Sequence, residues 1–221
     1  MIMFERRTLR RTLLSAGLVG AAAILAIGVA GGPITASPGT QARIGAPAPA
    51  FQLADSNGKT VSLADYKGKT VVLEWSNHEC PYVRKHYSGN NMQALQKKWT
   101  AQGVTWLTII SSEPGSQGYV TPEQANKLTV DRAAAPSAVL LDPKGAAGRT
   151  YGAQVTPHMY VITPDGTLAY MGGIDDKPSS RPEDIKTAKN FVDTALGELA
   201  QGKPVSTPTS RAYGCSVKYS S

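Results

Sequence analysis

The segment Thr70-Val71-Val72-Leu73-Glu74-Trp75 constrains the fold more than any other stretch of the chain. Its nearly unbroken apolar, β-branched run is that of a strand covered on both faces, and such a strand requires packed layers above and below it. Residues 104–110 and 138–141 carry the same signal, the latter closed by the turn residues Asp142-Pro143-Lys144-Gly145. Between the first two runs, Val83, Tyr87, Met92, Leu95 and Trp99 recur at helical spacing, with Ser88-Gly89-Asn90-Asn91 breaking the helix in its middle. Thr121-Pro122-Glu123-Gln124 has the cap, the first-position proline and the N3 glutamine of a helix start, which predicts a helix to about residue 132. Strands alternating with helices predict an α/β domain with a central sheet and helices on both faces.

Turn chemistry fills in the remainder. Asn57-Gly58 between residues 51–53 and 60–63 predicts an N-terminal β-hairpin, and Thr163-Pro164-Asp165-Gly166 predicts a second one joining 158–162 to 167–171. Ile185, Ala188, Phe191, Val192, Ala195, Leu196 and Leu199 share one helical face, so a single amphipathic helix is expected over 182–200. The Pro- and Gly-rich composition of 37–49 reads as a linker, 50–202 as the folded domain, and 203–221 as a tail tethered through Lys203-Pro204-Val205-Ser206-Thr207-Pro208 that carries Cys215.

The first 36 residues differ from the rest. Arg6, Arg7, Arg10 and Arg11 precede an apolar run over 13–30, and Gly31-Gly32-Pro33 follows, the pattern of an export signal. The run of about 18 residues also has the length of a marginal N-terminal anchor, and Arg10-Arg11 is compatible with a twin-arginine address. The expected location is therefore exported and periplasmic, with the signal either cleaved or retained as an anchor. Of the formal charge of +7, the four arginines against Glu5 account for +3 and leave +4 for the remainder. No basic run extends beyond Lys97-Lys98, so nucleic acid is not an expected partner.

Two cysteines are too few to build a disulfide scaffold, and a chain of this size folds without one. Cys80 stands where the polar loop Ser76-Asn77-His78-Glu79 meets a helix start marked by Pro81. Unpaired N–H groups and partial positive charge at a helix N-terminus favour a thiolate, which predicts that Cys80 is a reactive nucleophile in a partly wet site. The blander alternative is a buried, inert thiol. Cys215 follows Gly214, whose missing side chain allows close backbone approach. It is read either as the thiol that resolves oxidised Cys80 or as a static staple of the tail; in the chain-entropy model a bond closing so long a loop contributes roughly 5 kcal/mol.

In these motifs the chain resembles the thioredoxin superfamily, and within it the redoxin branch of alkyl hydroperoxide reductase and thiol-specific antioxidant proteins. Cys80-Pro81-Tyr82-Val83 resembles that fold's Cys-x-x-Cys, with Val83 replacing the second cysteine, and Thr156-Pro157 resembles its cis-proline pair facing the sulfur. Asn77 and His78 before Cys80 and the closing Gly214-Cys215-Ser216-Val217-Lys218-Tyr219 are similar to a bacterial redoxin subgroup, and Trp75 is read as a further residue supporting the site. The resemblance implies a thioredoxin-like fold, a thiol-disulfide oxidoreductase or thiol peroxidase, a peroxide or disulfide-containing substrate, a thiol reductant that is a protein or a small thiol, and no cofactor. Leu73 and Asn77 stand where peroxiredoxins carry proline and threonine, so the peroxidase residues do not carry over.

Two other readings stand beside this one. His78, His86 and His158 lie near the expected site in sequence, and Ser76-x-x-x-Cys80-Pro81 resembles copper-assembly proteins of the same fold that have cysteine at the first position. Metal delivery is the resulting alternative, although no metal ligand is assigned, and a noncatalytic binding module on the same fold is the other. Glu74 and Glu79 are read as proton shuttles or as solvated or capping groups.

Overall fold

In the computed structural model, which describes residues 41–220, strand β3 (Val71–Trp75) is buried throughout and lies inside a seven-stranded sheet. The sheet order is β2-β1-β5-β4-β3-β7-β8, with β1 (Gln52–Asp55), β2 (Thr60–Ser62), β4 (Thr105–Ile110), β5 (Ala138–Leu141), β7 (His158–Ile162) and β8 (Leu168–Gly172). Parallel pairing joins β3, β4 and β5, whereas β1 and β7 run antiparallel to their neighbours. The mixed α/β arrangement expected from the alternation is therefore present.

Neighbouring side chains of β3 enter opposite layers, which explains why its sequence is apolar at consecutive positions. Val72 packs with Trp106, Met159 and Tyr170 beneath α1 (Pro81–Ser88), α2 (Asn91–Thr100) and α5 (Phe191–Ala200). Val71, Leu73 and Trp75 pack on the other face with Leu107, Ile109 and α4 (Ala146–Tyr151). Helix α3 (Pro122–Asp131) starts in a complete capping box between Thr121 and Gln124 and covers Ile110 and Val139.

Several expectations differ from the structure. The helix expected over 182–200 is a 3-10 turn, Pro182–Thr187, followed by α5, because Asn190 caps the Asp193 N–H at 2.8 Å and the Lys189 N–H is taken by Asp176. The first hairpin ends at Ser62, where the hydroxyl caps a short 3-10 helix, Leu63–Tyr66, instead of continuing the strand. Within the 37–49 stretch read as a linker, residues 42–48 are packed: Gly45 donates to Leu168 O at 2.9 Å and Pro47 bridges to Thr167. The export signal or anchor expected at 1–36 lies outside the described residues, among which no helix is long and apolar enough to cross a membrane.

Two elements had no sequence signal. Strands β6 (Val155–Thr156) and β9 (Cys215–Ser216) pair antiparallel, with Thr156 opposite Cys215. The 203–221 stretch read as a tether is thus fastened to the domain over its second half. Val217 N donates to Gln154 O, Lys218 O accepts from Glu113 N, and Tyr219 Oη donates to Ala153 O.

Candidate active site

Helix α1 begins at Pro81, whose preset φ suits the first helical position, and Cys80 is its N-cap with φ −68° and ψ 123°. The preceding loop is fixed by Asn77. Its carbonyl accepts the Cys80 N–H at 3.1 Å, its side-chain oxygen accepts the Glu79 N–H at 2.9 Å, and its amide donates to Gln117 O at 3.3 Å. Glu79 in turn accepts the Gly118 N–H at 2.6 Å. Gly118, with φ +84°, leaves no room for a Cβ against Asn77, so the 117–118 turn and the cysteine loop lock together.

The Cys80 thiol donates to Thr156 O at 3.1 Å, and the Thr156–Pro157 peptide that follows is cis. The sulfur therefore faces the proline loop. Strand pairing brings Cys215 against the same loop, where it packs on the core cluster that contains Cys80. Burial pushes the Cys80 thiol up, but the Cys215 thiol, the Val83 and Cys215 N–H groups and Thr156 outweigh it and bring it below its ordinary value. Cys215 moves the opposite way, up to about 11, through burial, its hydrogen bond to Cys80 and the negative charge there. Both cysteines are free thiols. The acidity of the two sulfurs is thus pushed in opposite directions, Cys80 down and Cys215 up.

A partly wet sulfur was expected, and the structure corrects this: Cys80 is 0% exposed. It belongs to the core cluster that includes Val72, Val83 and Met159, against which Cys215 packs while remaining partly exposed itself. The expected supporting residues divide. Pro81, Val83, Asn77, Thr156 and Pro157 build the site as described. Trp75 does not, because it projects into the opposite core, where its Nε1 donates to Ser111 at 3.0 Å. His78 lines a small cavity with Tyr87, Thr108 and Arg132, its Nδ1 buried without a partner.

The histidines diverge. His86 is held by Tyr213 and Asn91, and His158 stacks on Tyr160 with ring centroids 4.7 Å apart. Among the described residues no three His, Cys, Asp or Glu side chains are grouped so as to hold a metal ion. Glu74 is fully buried and accepts from Tyr87, Gln96, Trp106 and Thr108 at 2.8 to 3.2 Å. Glu79 is spent on the Gly118 N–H. Sequence reasoning missed Gln117, Gly118 and the Lys85–Asp175–Tyr213 cluster. A Gly after Gln117 was the only hint of the first two, and nothing local marks a contact across 90 residues for the third.

Comparison with known proteins gives the family and the fold of the chain. A model of the AhpC/TSA family matches residues 44–171. The thiol-disulfide oxidoreductases ResA of Bacillus thuringiensis and Bacillus cereus are each 29% identical over 125 residues, 57% of this chain and 66% of theirs, so the chain spans just under two thirds of their length. Among solved structures, a hypothetical protein from Sinorhizobium meliloti is similar with a TM-score of 0.71 at 22% identity, covering 83% of this chain and 98% of its own. An uncharacterized conserved protein from Geobacillus kaustophilus has a TM-score of 0.68 at 25% identity, with 82% and 95% covered. The fold is thioredoxin-like.

Proposed function

This chain belongs to the AhpC/TSA family, and on that premise we propose that it is a thiol-disulfide oxidoreductase in which Cys80 is the nucleophile and Cys215 the resolving thiol. The observation that carries the reading is that Cys215 pairs opposite Thr156, the residue whose carbonyl accepts the Cys80 thiol at a helix N-terminus, with the acidity of the two sulfurs pushed in opposite directions. The Cys80 thiolate attacks one sulfur of a substrate disulfide, forming a mixed disulfide and expelling the other sulfur as a thiolate. That thiolate takes the Cys215 proton directly or through water. Cys215 then attacks the Cys80 sulfur, a Cys80–Cys215 bond forms as the Cys80–substrate bond breaks, and the second substrate sulfur leaves as a thiolate that takes a proton from water, which completes the dithiol. Two electrons pass from the pair to the substrate, and a thiol reductant restores the pair by the same steps in reverse.

Disulfide exchange is favoured over peroxide reduction by the residues before the nucleophile. Leu73 is buried in the opposite core and Asn77 is committed to the loop, which leaves no side chain there to polarise a peroxide. Turnover of a model protein disulfide with dithiothreitol tests the assignment. The wild-type chain is expected to accelerate reduction, Cys80→Ser to abolish the acceleration and Cys215→Ser to accumulate a mixed disulfide. Faster consumption of hydrogen peroxide than of the disulfide overturns it.

The basic and apolar pattern of residues 1–36 supports export to the periplasm. The mass of the mature chain recovered from a periplasmic fraction tests this, and recovery only with cytoplasmic markers contradicts it.

A further inference from the structure

Lys85, His86, Asp175 and Tyr213 form a buried polar cluster that the exchange chemistry does not use, with exposures of 1%, 0%, 2% and 8%. At its centre is the hydroxyl of Tyr213, two residues before Cys215. It donates to Asp175 Oδ1 and accepts from Lys85 Nζ at 3.2 Å. Its remaining partner is His86 Nε2 at 3.3 Å. Asn91 Nδ2 donates to His86 Nδ1 at 2.9 Å, which puts the histidine proton on Nε2 and makes that nitrogen a donor to Tyr213. The hydroxyl thus uses its one donor and both acceptor positions.

The partners are also committed elsewhere. Lys85 Nζ donates to Lys177 O at 2.8 Å and pairs with Asp175 Oδ2 at 3.4 Å, while Asp175 Oδ1 accepts from Lys177 N at 2.9 Å. Opening the cluster leaves a buried ion pair short of a hydrogen-bond partner, which is costly. The Tyr213 ring is held as well, edge-on to Tyr82 at 5.8 Å. Tyr82 follows Pro81 in α1, so the helix that activates Cys80 also holds the anchor of the tail.

Strand β9 has only two residues, and the bonds of Val217, Lys218 and Tyr219 hold it from its C-terminal side, which leaves Tyr213 as the side-chain anchor on its N-terminal side. Two residues of extended chain reach about 7 Å, so a fixed hydroxyl at 213 confines the sulfur at 215 to a small volume. Confinement of this kind raises effective concentration without adding a contact to the reacting atoms. We propose that Tyr213 is the positioning residue that sets the effective concentration of the Cys215 thiol at Cys80, and with it the redox potential of the pair. This rests on the resolving role proposed above.

The test equilibrates the full chain with glutathione and glutathione disulfide and quantifies the species by mass spectrometry under acid quench. In the forward direction the glutathione S–S bond breaks and the Cys80–Cys215 bond forms. Two electrons pass to glutathione, and both protons end on its two thiols, one from Cys215 and one from Cys80 or water. Tyr213→Phe keeps the ring and lacks the hydroxyl. Its equilibrium constant is expected to fall about tenfold, a rise of about 30 mV in potential, with the Cys80–glutathione mixed disulfide accumulating. His86→Gln, which disturbs one donor to the same hydroxyl, is expected to shift the constant about threefold in the same direction, and it carries the test if Tyr213→Phe does not fold. Constants within experimental error of wild type in a folded variant overturn the anchor alone. A wild-type chain that forms no Cys80–Cys215 bond overturns the resolving role and the anchor together.

Discussion

Gly214 approaches the Thr156 carbonyl oxygen so closely that a Cβ would overlap it, and this same oxygen accepts the Cys80 thiol at 3.1 Å. Gly214 has φ +145°, so the residue before Cys215 is glycine for both conformation and space. Backbone contact at this point is what lets the tail dock beside the Thr156 carbonyl. Gly214→Ala is therefore expected to destabilise the docked tail by about 1–3 kcal/mol and to speed alkylation of Cys80. Iodoacetamide labelling followed by peptide mass spectrometry checks this, and a wild-type labelling rate contradicts it.

Removing Cys215 should also change the acidity of Cys80. In Cys215→Ala the thiol donor to the Cys80 thiolate is gone, so the thiolate is less favoured and the Cys80 pKa rises. The pH profile of alkylation is then expected to shift to higher pH relative to wild type. The backbone N–H donors of Val83 and Cys215 survive the substitution, so the shift is partial. An unchanged or lowered midpoint contradicts the hydrogen-bonded pair.

Glu74 supplies a pH dependence of stability. Burial pushes its carboxyl up, and the hydrogen bonds from Trp106, Tyr87, Thr108 and Gln96 only partly offset this. A folded pKa above the unfolded value means that the native state binds the proton more tightly. Glu74 therefore makes stability fall as pH rises from the ordinary glutamate value, about 4.3, through the raised one. Glu74→Gln removes that part of the slope and, by turning an amide NH2 toward donors, costs about 1–3 kcal/mol at every pH. Urea unfolding at a series of pH values distinguishes the two effects; a variant with the wild-type slope contradicts the assignment.

The central sheet and the helix break at residues 88–91 were legible because each depends on local pattern. The continuous run of β3 requires two covered faces, and Asn90, with φ 54°, ends one helical turn and starts the next. The place of Cys80 at a helix start was legible for the same reason: a strand end, a polar loop and a first-position proline are adjacent in sequence. Its burial was not. The core cluster around the sulfur is drawn from several distant elements, and Gly214 alone hints that a segment 135 positions later docks beside it. Trp75 and His78 were placed at the site by proximity in the chain, but the pleat of β3 turns Trp75 to the opposite face, and the Asn77 loop leaves His78 beside Arg132. Tyr213 carried no signal because its partners, Lys85 and Asp175, come from a helix and a loop far away in sequence.

The central claim is that Cys80 and Cys215 are exchange partners. Adding one equivalent of glutathione disulfide to the reduced full chain, quenching with acid and mapping peptides without reduction tests it most directly. A cross-linked pair of peptides containing Cys80 and Cys215 within one chain, formed through a Cys80–glutathione adduct that persists in Cys215→Ser, is the predicted result. Glutathione found on Cys215 alone, with Cys80 still a thiol, would contradict the account.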